Sequence, residues 1–509
     1  RPAGCDNDDW SQIMIEELLS ILPTAVVVIG AFVLMLLSRS FSLDRLNLVA
    51  VFFLSLSFII EIPRFGTVPL HYSFPEIFGK MYIIDDFSTL FDLMFTAGAI
   101  LTLLINTKYF KSRHYFSGEY FALVLFSVFG MMTLAHANEL LTAFVALEIA
   151  SVSVYALVGY HKNNKISSEA MMKYMVLGSM TGAFFMLGTA MIYGVVGSTN
   201  MVEIAAYINA PGEKDLILII TGGTLIMVTI LFKIGAVPFH SWVVDVYHGA
   251  PFPVTMFMAS TFKIALFAVA LRLVLIDFAS LKAVWTEILQ VITVLTLIGG
   301  SFLAISQNSI KRMLAGSSIV HSGYMLIALS SIGLGSEMAA PAIMFYLISY
   351  FLSAAGAFGI LSYIASDSKK MMTYEDFKGF SERRPYLSMM MAIFMLSLSG
   401  FPSTIGFLGK FYIFTSAIES GQILLAGLGI ATAFVSVYYY FKLIAMMYFY
   451  PSAEQKQRFT FDFSAILIGV MAVMVIWGGV GTGLIPFVPG ANGLIDIAKQ
   501  AIESLHISG

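Results

Sequence analysis

Ile230-Leu231-Phe232-Lys233-Ile234-Gly235-Ala236-Val237-Pro238 sets a lysine among apolar side chains and then interrupts its own helix. Pro238 supplies no backbone donor, and its ring clashes one turn back. The carbonyls it frees lie beside Lys233, where either water or the lysine itself can satisfy them. An ionised side chain near a bilayer midplane costs roughly 3 kcal/mol. A lysine with little water around it can take up and release a proton reversibly. Five more bases interrupt apolar runs: Lys173, Lys263, Arg272, Lys410 and Lys442. Broken helices and buried ionisable groups together point to an ion path rather than a passive scaffold.

The rest of the chain agrees with that reading. Of its 509 residues 58% are hydrophobic and 12% charged, where soluble domains carry about 25% charged residues. About 20 apolar residues span a bilayer. Fourteen runs qualify: 13–37, 46–62, 87–105, 118–135, 139–160, 167–196, 216–236, 251–275, 283–305, 309–330, 338–365, 385–420, 421–449 and 462–489. The expected fold is an all-α polytopic membrane protein with about fourteen transmembrane helices. Two of these are broken, one at Pro238 and one near Gly400–Pro402. Residues 118–275 and 283–449 read as two five-helix repeats, each carrying one break and one lysine beside it. Five is odd, so the second repeat is inverted relative to the first. Residues 1–117 form a three-helix segment before them, and 450–509 a helix and tail after them.

The single Cys5 excludes a disulfide framework and a cysteine-ligated metal or iron–sulfur site. There is no basic tract for nucleic acid, and no phosphate loop, nucleophile triad or HExxH motif. The polar first ten residues, followed by a run long enough to span, read as no cleavable signal peptide.

Orientation follows from the connections. Sixteen Lys and Arg residues fall on one side: Arg39, Arg45, Lys108, Lys111, Arg113, Lys162, Lys165, Lys311, Arg312, Lys369, Lys370, Lys378, Arg383, Arg384, Lys456 and Arg458. Six fall on the other: Arg1, Arg64, Lys80, Lys214, Lys282 and Lys499. The sixteen-residue side is expected to be cytoplasmic, with both termini opposite.

Glu148, in Ala146-Leu147-Glu148-Ile149-Ala150, has no polar neighbour before Ser151. Near a lysine it can exchange protons, since each charge shifts the other's titration; the alternative is a structural ion pair. Lys410, in Gly406-Phe407-Leu408-Gly409-Lys410-Phe411, repeats the logic of Lys233 after the second break. Lys263 lies too near the centre of its span to reach water. Lys173 reads equally as a gate or as a side chain reaching the edge, which is the expectation for Arg272 and Lys442. His240 and His321 suit a relay between lysines, or else serve as hydrogen-bonding residues between helices. Asp245 pairs with a nearby base or caps a helix, and Glu139 reads as solvated.

Taken together, Ala146-Leu147-Glu148, Phe232 to Trp242, Asp245-Val246-Tyr247-His248-Gly249-Ala250-Pro251, Lys311 to Ile319 and Gly400 to Tyr412 resemble the antiporter-like membrane subunits of respiratory complex I. The resemblance runs from about 118 to 449. Lys410 stands where subunit M of that family has glutamate, and 490–509 is too short for the long lateral helix of subunit L. Fourteen spans also differ from the shortened animal mitochondrial form. The resemblance implies a Glu148–Lys233 pair near the cytoplasmic half-channel, Lys263 as central relay and Lys410 facing the exit. Lys173 and His240 match further positions tied to proton uptake and transfer. It implies no cofactor in this chain, with NADH, FMN, iron–sulfur clusters and quinone in other subunits. It also implies subunit M and the small subunits J and K as partners, and a bacterial inner membrane with both termini periplasmic. A cation/proton antiporter or membrane-bound hydrogenase subunit of the same superfamily is the alternative. A scaffold with structural ion pairs is a third reading.

Overall fold

The computed structural model describes residues 18–66, 81–210, 216–277, 282–367, 372–452, 462–480 and 489–507. Arg1, Cys5, Lys80, Lys214, Lys369, Lys370, Lys456 and Arg458 lie outside the described residues, as do the two extremes of the expected spans, 13–17 and 481–488.

The described chain is helical, with three isolated bridges and no sheet. Twelve helices are long and apolar enough to cross a membrane. Two shorter apolar helices, Leu22–Leu37 and Pro385–Ser399, fall on the remaining expected spans. In chain order we label α1 (Leu22–Leu37), α2 (Leu43–Glu61), α3 (Asp86–Ile105), α4 (Gly118–His136), α5 (Leu140–Val158), α6 (Lys165–Val196), α7 (Leu216–Ile234) and α8 (Val243–Gly249). After them come α9 (Phe252–Ile276), α10 (Lys282–Ile305), α11 (Ile310–Gly333), α12 (Ala339–Asp367), α13 (Pro385–Ser399), α14 (Ile405–Glu419), α15 (Ile423–Phe449), α16 (Phe463–Val480) and α17 (Ala491–Ile507).

Both expected breaks are present. After α7 the chain turns at Gly235 (φ 77°) and passes Pro238 before α8. After α13 it turns at Gly400 (φ 84°) and Ser403 (φ 69°) before α14. Positive φ costs glycine little. A third irregularity carries no proline signal: α9 contains π-helical turns at Met258–Phe262 and Leu273–Asp277, which flank Lys263–Arg272.

Burial sorts the helices. The apolar window of α11 is wholly buried, and those of α9 and α12 nearly so. The corresponding windows of α2, α6, α10, α15 and α16 leave more than half their residues less buried, which suits helices facing lipid or a neighbouring subunit. Lys263 and Arg272 on α9 and Lys311 and His321 on α11 are therefore buried within the protein. The outer helices approach through small residues, the usual device in membranes. A Cβ on Gly222 of α7 would lie 2.6 Å from the carbonyl of Gly188 on α6, and a Cβ on Gly188 would collide with the carbonyl of Gly222. This crossing sets α7, with Lys233 at its end, against α6.

Candidate functional site

The site begins on α5. Glu148, Ser151 and Tyr155 are three and four residues apart, so they share one face. Lys233 Nζ reaches across from α7 and donates to Ser151 Oγ at 2.8 Å and to the Tyr155 hydroxyl at 2.6 Å. Glu148 Oε1 lies 3.8 Å from the same nitrogen, an ion pair too long for a hydrogen bond. That oxygen is buried with no hydrogen-bond partner. The Lys233 side chain is fully buried, whereas that of Glu148 is 22% exposed. Glycines on α6 make room for the group. A Cβ on Gly182 would sit 2.9 Å from Glu148 Oε1, and one on Gly178 would overlap the Tyr155 hydroxyl.

The carbonyls freed at the first break are taken by groups other than Lys233. Ala236 N donates to Leu231 O, and the Trp242 indole to Phe232 O at 3.0 Å. The Ser322 hydroxyl donates to Ile234 O at 2.9 Å. The capping alternative for Lys233 is thus filled by an indole, a backbone amide and a serine.

Ser322 leads to the next lysine. Lys263 Nζ donates to Ser322 Oγ at 3.0 Å and to Ser318 O at 2.7 Å. Its nitrogen lies 5.4 Å from the centre of the Tyr350 ring, which also packs against His321, with ring centres 4.8 Å apart. His321 bonds the Tyr346 hydroxyl through Nδ1 at 2.6 Å and the Tyr440 hydroxyl through Nε2 at 2.9 Å. Tyr324 stands edge-on to His321 and Tyr346, and its ring centre is 5.0 Å from Lys410 Nζ. Lys410 donates to Leu398 O and Ser399 O, both at 2.9 Å. These end α13, where unpaired carbonyls and the helix dipole favour a cation. The carbonyl-capping geometry considered at Lys233 therefore occurs at Lys410. Gly400 leaves space for the Lys410 stem, and Gly400, Lys410 and Phe407 help to line a cavity of about 230 Å³.

The remaining residues fall elsewhere. Lys173, 45% exposed, pairs with Glu169 and with Asp245 at 3.2 Å, and Asp245 also takes Arg312 at 3.2 Å. These form a surface network rather than part of the buried series. His240 is half-buried; its carbonyl accepts from Val243 N at 3.0 Å, while its side-chain Nδ1 is buried without a partner. Two sequence expectations are corrected. Arg272 does not reach for the membrane edge; it is 1% exposed and holds Asp85 through both carboxylate oxygens at 2.9 and 3.1 Å. Lys311 is not in an open connection. It is buried and donates to the carbonyls of His248 and Ala250 at the end of α8. In each case a partner far along the chain offsets the cost of burial. Glu139 is likewise held, by the hydroxyls of Thr142 and Thr199. Lys442 stacks over Tyr374 at 4.3 Å.

Sequence reasoning passed over Ser151, Tyr155, Ser318, Ser322 and the tyrosines around His321. The available signal was helical spacing: Ser151 and Tyr155 follow Glu148 on its own face, and Ser318 and Ser322 flank His321 on α11. If Tyr155 tunes Lys233, Gly178→Val, which must push that hydroxyl away, removes one hydrogen bond to a charged group. Such bonds contribute about 1.5–3 kcal/mol. We expect proton translocation by the assembled complex to fall roughly tenfold in the affected step, read as dye quenching in vesicles.

Residues 137–436, more than half of the chain and including Glu148, Lys233, Lys263, His321 and Lys410, match the family described as NADH:quinone oxidoreductase/Mrp antiporter, TM. The chain belongs to this family. A relative named NADH-quinone oxidoreductase subunit N, from Trichlorobacter lovleyi, is 38% identical over 428 residues, 84% of this chain and 85% of its own. A chain of respiratory complex I from Thermus thermophilus is 30% identical with a TM-score of 0.75, covering 91% of this chain and 98% of that one. A chain of the archaeal membrane-bound sulfane sulfur reductase is 25% identical with a TM-score of 0.83, covering 96% and 98%. As an antiporter-like subunit of the complex I family, this chain is a multi-pass membrane protein.

Proposed function

We propose that the chain is the proton-translocating subunit N of a bacterial NADH:quinone oxidoreductase. It would move protons through Glu148, Lys233, Lys263 and Lys410, driven by quinone reduction elsewhere in the assembly. The names of its relatives support the assembly. One structural observation supports the mechanism. Lys263 and Lys410 are 3% and 4% exposed, yet among the described residues they form no ion pair. Arg272, which hardly deprotonates, is held by the Asp85 carboxylate, whereas the buried Lys311, like these two lysines, has carbonyl partners. Lys263 and Lys410 have neutral oxygens as hydrogen-bond partners, so each can exist with or without its extra proton. This argues against the scaffold reading.

The cycle we infer begins at Lys233, whose charged form the Glu148 carboxylate favours. When that attraction weakens, the proton leaves for Lys263. The Ser322 hydroxyl, bonded to Lys263 Nζ and to Ile234 O at the first break, stands between the two lysines. A carbonyl has no proton to give, so water would carry the proton from Lys233 to that hydroxyl, which would hand its own hydrogen to Lys263. His321, held by two tyrosine hydroxyls, and Tyr324 bridge Lys263 to Lys410. Lys173, Asp245 and His240 would serve at the cytoplasmic entrance. NADH, FMN, iron–sulfur clusters and quinone would be held by other subunits, with none in this chain. Its neighbours would be the antiporter-like subunit M and the small subunits J and K, within the bacterial inner membrane. The likeness to the sulfane sulfur reductase chain favours, as second reading, a subunit of another respiratory or antiporter complex of the superfamily. Purification in mild detergent tests this: NADH-dependent quinone reduction by the co-purified subunits supports the first reading, and another electron donor the second.

Orientation has its own test. Cysteines at Ser112 and Lys378 should be labelled by an impermeant maleimide only from the cytoplasmic side, and one at the exposed Glu203 only from the periplasmic side. Glu203 suits this better than the nearby Asn200, whose side chain caps its helix through Val202 N and Glu203 N. Labelling of Ser112 and Glu203 from the same side would overturn the span assignment.

A further inference from the structure

A second set of buried ionisable groups lies away from the lysines, where α2, α3 and α4 meet. Glu61 ends α2, Asp92 sits in the second turn of α3 and His136 ends α4; all are at most 1% exposed. By the distribution of Lys and Arg they lie toward the side opposite the basic loops. The lysine series does not use them.

Their hydrogen bonds fix where protons must be. His136 Nδ1 lies 2.6 Å from Ile83 O, which can only accept, so Nδ1 carries hydrogen. Nε2 lies 2.9 Å from Asp92 Oδ2. Two bare acceptors do not make such a contact, so a proton lies between them, on the ring or on the carboxyl. Glu61, at the end of α2, is the carboxyl that neighbours Asp92 where α2 packs on α3. Asp92 Oδ1 and Glu61 Oε2 are buried with no donor. Two bare carboxylates in contact repel, and unpaired buried oxygens are costly. A second proton shared by the two carboxyls removes both penalties.

The surroundings leave room for that proton to be exchanged. Tyr82 stacks on the His136 ring at 4.4 Å, and its hydroxyl is engaged with Thr24. Asp85 is committed to Arg272 and to Ser88 N. Arg64 lies 3.5 Å from Glu61 and is 20% exposed, which gives water an approach to the carboxyl pair. Deeper along α3, Gly98 packs directly on Thr261, two residues before Lys263.

We propose that Glu61, Asp92 and His136 form a proton-binding site on the non-cytoplasmic side that loads and releases a proton in each transport cycle. This rests on the proton-translocating reading above. Loading takes a proton from a hydronium ion: one of its O–H bonds breaks, one O–H bond forms on the Glu61–Asp92 pair, a water is left behind, and the pair's two negative charges become one. Release breaks that bond and passes the proton to water beside Arg64, whose guanidinium stays charged and holds the carboxylate left behind.

The test uses the whole complex in sealed vesicles. Glu61→Gln and Asp92→Asn imitate the protonated carboxyls, so they keep the hydrogen bonds but have no proton to release. The expected result is assembled complex with fewer protons moved per electron pair in each variant. The exposed Glu203→Gln, on the same side, should be unchanged. Equal proton yield in wild type and both variants would overturn the proposal, since a purely structural proton is well imitated by an amide. Lys233→Ala run in parallel separates the two readings. If it alone keeps full yield, the lysine relay fails and the carboxyl site stands. Should the variants fail to assemble, wild-type complex labelled with ¹³C-glutamate decides by infrared spectroscopy. A protonated, label-shifted carboxyl band that titrates with external pH supports the site, and its absence overturns it.

Discussion

A Lys233→Ala complex that assembles normally should translocate protons poorly and reduce quinone more slowly when the two are coupled. The substitution removes the cation that pairs with Glu148 and leaves the Ser151 and Tyr155 hydroxyls without their shared partner. Two losses are then superimposed. Unsatisfied buried hydroxyls cost about 1–3 kcal/mol each, a stability effect that melting of the purified complex reads directly. The functional loss should exceed it, because among the described residues Lys233 is the cation that pairs with Glu148. Lys233→Arg separates the two. It restores a cation and several donors but hardly deprotonates, so stability should recover further than pumping does. Wild-type pumping by an assembled Lys233→Ala complex would refute the role.

What could be read from the sequence follows a physical division. The spans and both breaks rest on local signals, namely apolar run length, glycine and proline, and the structure places breaks at Gly235–Pro238 and Gly400–Thr404. Lys233, Lys263 and Lys410 stood out because a charge in an apolar run is costly wherever the chain folds. Their partners did not stand out. Ser151, Tyr155, Ser318 and Ser322 are ordinary residues of a membrane helix until a lysine from another helix reaches them. Arg272 and Lys311 looked like edge residues because the groups that offset their burial, Asp85 and the end of α8, are distant in sequence. Glu61 and His136 each sit at a helix end, where solvation is the ordinary expectation, and only the meeting of α2, α3 and α4 buries them. The π-helical turn before Lys263 has no composition cue.

The Glu148–Lys233 pair yields the other large effect. Glu148→Gln keeps size and hydrogen-bonding capacity but removes the negative charge 3.8 Å from Lys233 Nζ. Coulomb's law at an effective dielectric of about 20 makes such a contact worth roughly 4 kcal/mol before desolvation. That is far above the ~0.5 kcal/mol by which independent sites depart from additivity. Without that charge Lys233 has two neutral hydroxyls as hydrogen-bond partners, so it should hold its proton less firmly and proton uptake at neutral pH should weaken. The amide introduced by Glu148→Gln would still turn its oxygen toward the buried amine, so the contact keeps its shape while losing its charge. Adding Lys233→Ala to Glu148→Gln should then cost little beyond the worse single change, because members of one unit are non-additive. Pumping by both single variants and the double, at matched assembly, closes the cycle. Losses that multiply would mean that each residue acts alone. In that case the 3.8 Å contact would be incidental packing, and the switch would have to lie farther along the series, between Lys263 and Lys410.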